Sequence, residues 1–125
     1  MADQPVGSAA WTVLVVDDEP DIRHILVRLL TMAGYTVREA AHGGAALAQV
    51  EDSPPRLVIT DRMMPVMGGD ELIEHLRGDR NTAGIPIVLL TGSPGLQPLA
   101  DAMVMKPFHQ DDLLAVVNRL VEQAA

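Results

Sequence analysis

Short apolar runs alternate with amphipathic stretches along this chain, and that alternation restricts the fold more than any other feature. The runs are Thr12–Val16, Thr36–Ala40, Arg56–Thr60, Pro86–Leu90 and Ala102–Met105. The first is rich in β-branched residues without polar alternation, the pattern of a strand buried on both faces. Thr36–Ala40 contains Arg38 and Glu39 and reads as a weaker strand. In Asp21–Ala33 the residues Ile22, Ile25, Leu26, Leu29, Leu30 and Ala33 fall at helical spacing, and Gly34 is a good stop. Gly44–Glu51 reads as a short Ala-rich helix broken by Ser53-Pro54-Pro55. Leu72, Ile73 and Leu76 mark a third helix, with Asp70 as its expected cap. Leu113, Val116, Val117, Leu120 and Val121 mark the last, with Asp111 and Asp112 favourably near its N-terminus.

Strands alternating with helices imply right-handed crossovers and a parallel sheet covered on both faces. The expected fold is α/β, a flavodoxin-like (βα)5 three-layer sandwich with strand order 2-1-3-4-5. Residues 1–10 are expected to form a loose tail before one domain over 11–125, with no appended output domain. Apolar residues make up 48% of the chain, enough for a core and too many for disorder. The net charge of −8 is repelled by phosphate backbones and anionic membranes, so neither nucleic acid nor a membrane is an expected partner. The sequence has no cysteine, which excludes thiolate catalysis and disulfides. No stretch reads as a signal peptide or a bilayer span, and a cytoplasmic location is expected.

In sheets of this kind ligands bind beyond the carboxyl ends of the strands. Polar residues stand at four of those ends: Asp17 and Asp18, Asp61, Thr91 and Lys106. The expected order makes strands 1, 3, 4 and 5 neighbours, so these side chains converge. Singly, each Asp is a common turn or cap residue, Thr91 a turn hydroxyl and Lys106 a solvated side chain; their joint placement carries the argument. Clustered carboxylates repel one another and suit a hard divalent cation, Mg2+ or Mn2+. Lys106 adds a compact positive charge and Thr91 a hydroxyl donor. Together they make a receptor for a phosphoryl group transferring to a carboxylate nucleophile. Of the nine basic residues, Lys106 is the only lysine. His24, His42, His75 and His109 lack short metal-ligand spacing, and Met63, Met64 and Met67 read as packing material.

From Val13 to Val121 the chain resembles response-regulator receiver domains. The matching segments are Val13–Pro20 (VLVVDDEP), Leu57–Gly69 (LVITDRMMPVMGG), Val88–Gly92 (VLLTG) and Met105–Phe108 (MKPF). The resemblance implies that Asp61 is the phosphorylated aspartate. It implies a metal site of Asp17, Asp18, Asp61 and the backbone carbonyl of Met63, with Thr91 and Lys106 contacting the phosphoryl group. It further implies a cis Lys106-Pro107 bond and a phosphohistidine donor on a sensor histidine kinase or histidine phosphotransfer protein. Catalysis would be limited to the domain's own phosphorylation and dephosphorylation. Two departures stand out. The switch position, three residues before the lysine, is Met103 rather than Tyr or Phe. Gly92–Ala102 holds two prolines and two glycines, so the usual fourth helix is expected to be absent or reduced to a turn.

The leading expectation is a phosphoacceptor that signals by binding an unknown downstream protein, with homodimerisation left open. Met63 would shield the acyl phosphate from water and lengthen its life. A phosphorylation-independent pseudo-receiver interaction module is the alternative. An aspartyl-phosphate phosphatase is disfavoured, because Asp17-Asp18-Glu19 lacks that family's D-x-D pattern.

Overall fold

In the computed structural model, which describes residues 11–93 and 95–124, five strands form one parallel sheet. The elements are β1 (Thr12–Val16), α1 (Pro20–Met32), β2 (Thr36–Ala40), α2 (Gly43–Asp52), β3 (Leu57–Asp61), α3 (Gly69–Gly78), β4 (Ile87–Thr91), β5 (Ala102–Met105) and α4 (Gln110–Ala124). Their sheet order, β2-β1-β3-β4-β5, is the flavodoxin-like order expected. The expected tail, 1–10, lies outside the described residues.

Every residue of β3 and β4 is buried, as central strands covered on both faces require. Alternate side chains divide between two cores. Val13, Val15, Ile59 and Leu90 meet Leu26 and Leu30 of α1 and Leu113 and Val117 of α4. Leu14, Val16, Val58 and Leu89 meet Ala46 and Val50 of α2 and Leu72 and Ile73 of α3. β2 lies at the sheet edge, which is why it tolerates Arg38 and an exposed Glu39.

Helix boundaries follow local chemistry. At the end of α1, Tyr35 N–H donates to the Leu30 carbonyl and Gly34 N–H to Thr31. Gly34 has φ 103°, a left-handed conformation that costs glycine little. α2 starts at Gly43, one residue earlier than expected, because His42 Nδ1 accepts the Ala45 N–H at 3.1 Å. Asp70 does not cap α3. Gly68 occupies the N-cap position without a side-chain bond, and Asp70 sits in the first turn.

Among the described residues no helix lies between β4 and β5, in line with the expectation for this segment. Gly95–Asp101 instead runs as an irregular strap, with a turn closed by Ala100 N–H on the Gln97 carbonyl. It brings no helical apolar stripe, and two arginines beneath it supply the attachment. Arg62 donates to the carbonyls of Gly95 and Leu96 at 3.0 and 3.3 Å. Arg77 donates to the Leu99 carbonyl at 2.9 Å and pairs with Asp101 at 2.7 Å. The same guanidinium reaches the carbonyls of Ala83 and Ile85 at 2.8 and 2.7 Å.

This multiple use makes Arg77 costly to lose. Arg77→Ala should lower the unfolding free energy by about 2–3 kcal/mol. Arg77→Lys should recover less than half of that, since an ammonium cannot reproduce the planar fork. Urea unfolding of the three proteins measures both.

Candidate functional site

Parallel pairing brings the strand ends together in steps. Val16 pairs with Thr60, Asp61 with Leu90, and Thr91 with Met105. Asp17 and Lys106, each one residue beyond its strand, therefore flank Asp61. Lys106 N–H extends the ladder to the Thr91 carbonyl at 2.9 Å, and the Lys106–Pro107 peptide is cis. Lys106 Nζ lies 3.1 Å from Asp61 Oδ1, 3.6 Å from Asp17 Oδ2 and 3.8 Å from Glu19 Oε1. Arg23, from α1, steadies the end of β1 by donating to the Asp17 carbonyl at 2.7 Å while pairing with Glu39.

The electrostatics are strained in one place. The Asp17 side chain is fully buried. Burial pushes its carboxyl above the ordinary value, and the Asp61 and Glu19 charges push the same way. The Glu19 N–H bond to Asp17 Oδ1, at 2.9 Å, and Lys106 oppose them without prevailing. Burial also disfavours the charge on Lys106, but its bond to Asp61 and the surrounding carboxylates outweigh this and hold the ammonium above its ordinary value. Asp17 Oδ2 is buried without a hydrogen-bond partner. Asp17, Glu19 and Asp61 each offer one carboxylate oxygen within 4.8 Å of the others. A buried oxygen without a hydrogen bond, close to two more carboxylates, fits a hard, oxygen-seeking cation.

The structure thus gathers Asp17, Asp61 and Lys106, and adds Glu19. Asp18 is half-buried and stands outside the acidic group. Thr91 is buried at the pocket, but its hydroxyl is engaged locally. It donates to the Ser93 carbonyl at 2.9 Å and accepts the Ser93 N–H at 3.0 Å. Met63 follows Asp61 by two positions and leaves its side chain exposed. Met103, the switch position, is half-buried against the α2–α3 core with Met64 and Met67.

The β3–α3 loop is tightly drawn. A Cβ on Gly69 would stand 2.2 Å from the Asp61 carbonyl oxygen, so only glycine lets α3 start there. Val66 has φ 68° and is fully exposed, a strained conformation for a β-branched residue. Glu19 and Arg62 were not singled out from sequence. The D-D-E run is the signal that would have drawn attention to Glu19. Arg62 has no local signal, since its acceptors are Asp70 on α3 and the Gly95 and Leu96 carbonyls on the strap.

Comparison with known proteins agrees with this geometry. The response regulator receiver domain family matches residues 13–118, and the chain belongs to that family. It is 39% identical over 119 residues to the phosphate regulon transcriptional regulatory protein PhoB of Pseudomonas aeruginosa, covering 90% of this chain and 52% of that protein. It is 36% identical over 127 residues to the sensor histidine kinase TmoS of Ectopseudomonas mendocina, covering 96% of this chain and 12% of the kinase. The chain therefore spans about half, or far less, of the length of these relatives. The response regulator TrrA of Thermotoga maritima, solved in complex with Mg2+–BeF, superposes with a TM-score of 0.82 at 35% identity, covering 88% of this chain and 98% of that one. Among the described residues, no helix is long and apolar enough to cross a membrane.

Asp17 offers a direct test of the charge balance. Its raised value means the folded state favours the protonated form. Its contribution to stability is complete below the ordinary carboxyl value and is lost as pH rises through the folded one. At pH 7 in chelator, Asp17→Asn should raise Tm by about 3–5 °C, the effect of ~1 kcal/mol in a domain of this size. The gap should close as the pH falls below the ordinary carboxyl range. A thermal melt series across pH measures it.

Proposed function

We propose that the chain is a phosphoacceptor, taking a phosphoryl group from a phosphohistidine onto Asp61 in a Mg2+-dependent reaction and signalling by protein–protein contact. The observation that carries this reading is the Lys106 ammonium set among Asp61, Asp17 and Glu19, with Asp17 Oδ2 left without a hydrogen bond. An Asp61 carboxylate oxygen attacks phosphorus. The P–O bond forms as the P–N bond breaks, and the donor imidazole leaves with the electron pair and takes up a proton. Lys106 neutralises the carboxylate on approach and then the charge on the phosphoryl oxygens. Thr91 can donate its hydroxyl to one of those oxygens once it leaves Ser93. Asp17, Asp18, Asp61 and the Met63 carbonyl, now with Glu19, are the groups that would hold the cation. When bound, it supplies further neutralisation of the phosphoryl charge. Water later attacks phosphorus, releasing inorganic phosphate and returning the carboxylate; Met63, two residues after Asp61, would shield the acyl phosphate and slow this step.

The donor must dock close enough to reach Asp61. Ile22, Ile25, Pro107 and Phe108 line an apolar hollow with Lys106 at its rim, and Ile25 is 54% exposed. We assign this hollow to the donor protein, a sensor histidine kinase or histidine phosphotransfer protein. Ile25→Glu should slow transfer from a phosphohistidine protein by at least about tenfold, roughly 1.4 kcal/mol, while uptake from acetyl phosphate stays within twofold. Equal loss with both donors would sink the assignment.

The engaged Thr91 hydroxyl and Met103 at the switch position favour a second reading, an interaction module that needs no phosphorylation. Intact mass after incubation with acetyl phosphate and Mg2+ separates the two. The acceptor reading expects a gain of one phosphoryl group in the wild type, abolished by chelator and by Asp61→Asn. No gain, or an undiminished gain in the variant, would favour the module instead.

A further inference from the structure

We propose that Arg62 is a positioning residue coupling Asp61 to the strap, and that phosphorylation at Asp61 frees the Arg62-held half of Gly95–Asp101 while the Arg77-held half stays in place. This rests on the acceptor reading above. It replaces the missing fourth helix and the missing switch aromatic with a different route from the pocket to the surface.

Three sets of bonds carry it. First, the Arg62 backbone adjoins the acceptor. Its N–H is shared between Asp61 Oδ1 and the Leu90 carbonyl, both at 2.9 Å, and its carbonyl accepts the Gly69 N–H at 2.8 Å. Second, its side chain anchors a continuous network. The guanidinium pairs with Asp70 at 3.0 Å and donates to the Gly95 and Leu96 carbonyls. Asp70 Oδ1 accepts from Gln97 Nε2 at 2.6 Å, and Gln97 Oε1 accepts the Leu99 N–H at 3.1 Å. The Leu99 amide thus reports on Arg62 through two side chains. Third, the Thr91 hydroxyl has one proton, and its nearest acceptors are both on Ser93, the carbonyl at 2.9 Å and Oγ at 3.2 Å. It cannot donate to a phosphoryl oxygen and to Ser93 at once.

The direction of the change follows from charge. A phosphoryl group carries about −1.5 to −2 where the carboxylate carried −1. A hydrogen bond with an ionised partner is roughly twice as strong as a neutral one such as Thr91 to the Ser93 carbonyl, and the Arg62 cation gains Coulomb attraction from an anion that a neutral carbonyl does not offer. The Gly95 and Leu96 carbonyls are the weaker claims on Arg62, and Ser93 is the weaker claim on Thr91. Both claims fasten the same end of the strap region. Arg77 holds the other end from the last turn of α3, beginning at the Leu99 carbonyl, so the boundary falls within Leu99, whose N–H belongs to the Arg62 network; none of Arg77's partners touches Asp61. The Asp101 N–H is held separately by the Ile87 carbonyl at 2.9 Å.

Residue-resolved amide exchange by NMR, with intact mass read on the same samples, tests the proposal. With acetyl phosphate and Mg2+, the Leu99 amide should exchange at least about tenfold faster, and the Asp101 amide should be unchanged. In Arg62→Ala the Leu99 amide should be fast with or without phosphodonor. Gln97→Ala should show the same without altering β3, so the test survives if the arginine variant does not fold. Full phosphoryl uptake with unchanged Leu99 protection overturns the coupling and leaves the acceptor reading intact. Equal acceleration at Leu99 and Asp101 also overturns it, since the release would not be confined to one half. Absence of phosphoryl uptake shows in the mass as failure of the acceptor reading, and the coupling falls with it.

Discussion

One ammonium among three carboxylates holds the functional end of this protein together. Asp17 is buried beside Asp61, with Glu19 close by, and Lys106 is the cation that reaches all three. Without it the carboxyl ends of β1 and β3 would repel where the sheet brings them side by side. The parallel fold creates this problem and supplies its answer. All five strands run the same way, so everything polar that ends a strand collects at one edge. The fifth strand delivers the lysine to the place where the first and third deliver acids. The balance remains incomplete, as the raised Asp17 carboxyl and its oxygen without a hydrogen bond record. That residual imbalance is what makes the pocket fit the cation and the phosphoryl group of the proposed reaction.

The sheet and the core were legible because each strand is a short apolar run and each helix has its own apolar period. Val13, Ile59 and Leu90 need no tertiary information to be read as interior. The strand-end residues were legible once the order of strands was inferred, since register alone places Asp17 and Lys106 beside Asp61. Residues acting through distant backbone were not legible. Arg62 matters because the carbonyls of Gly95 and Leu96 lie over it, some thirty positions along the chain. Asp70 looked like a helix cap because it precedes an apolar stripe; the nearby guanidinium offers it a stronger, charged partner. Thr91 ends β4, as the apolar run before it indicates, but its bond to Ser93 depends on the loop conformation.

The region between β4 and β5 shows how a fold compensates for a missing element. A helix would have attached itself by burying one apolar face. The strap has little to bury, with Leu96 and Leu99 exposed, and is fastened by guanidinium groups to backbone carbonyls. Arginine suits this work because its planar fork can hold several acceptors at fixed angles. Attachment of this kind is local and divisible: each arginine holds its own half. A packed helix moves as a unit, whereas a segment held by separate polar clamps can loosen at one end.

The solitary lysine has a practical consequence. Lys106 is the only side-chain amine in the sequence, and it sits 19% exposed in the acidic pocket. Amine-selective reagents would therefore find, apart from the chain terminus, a single target in this sequence, placed among Asp17, Glu19 and Asp61. Because neighbouring carboxylates keep that amine protonated, its acylation rate becomes a gauge of their charge. Anything that neutralises or fills the pocket would register as a change in how fast one residue acquires a label.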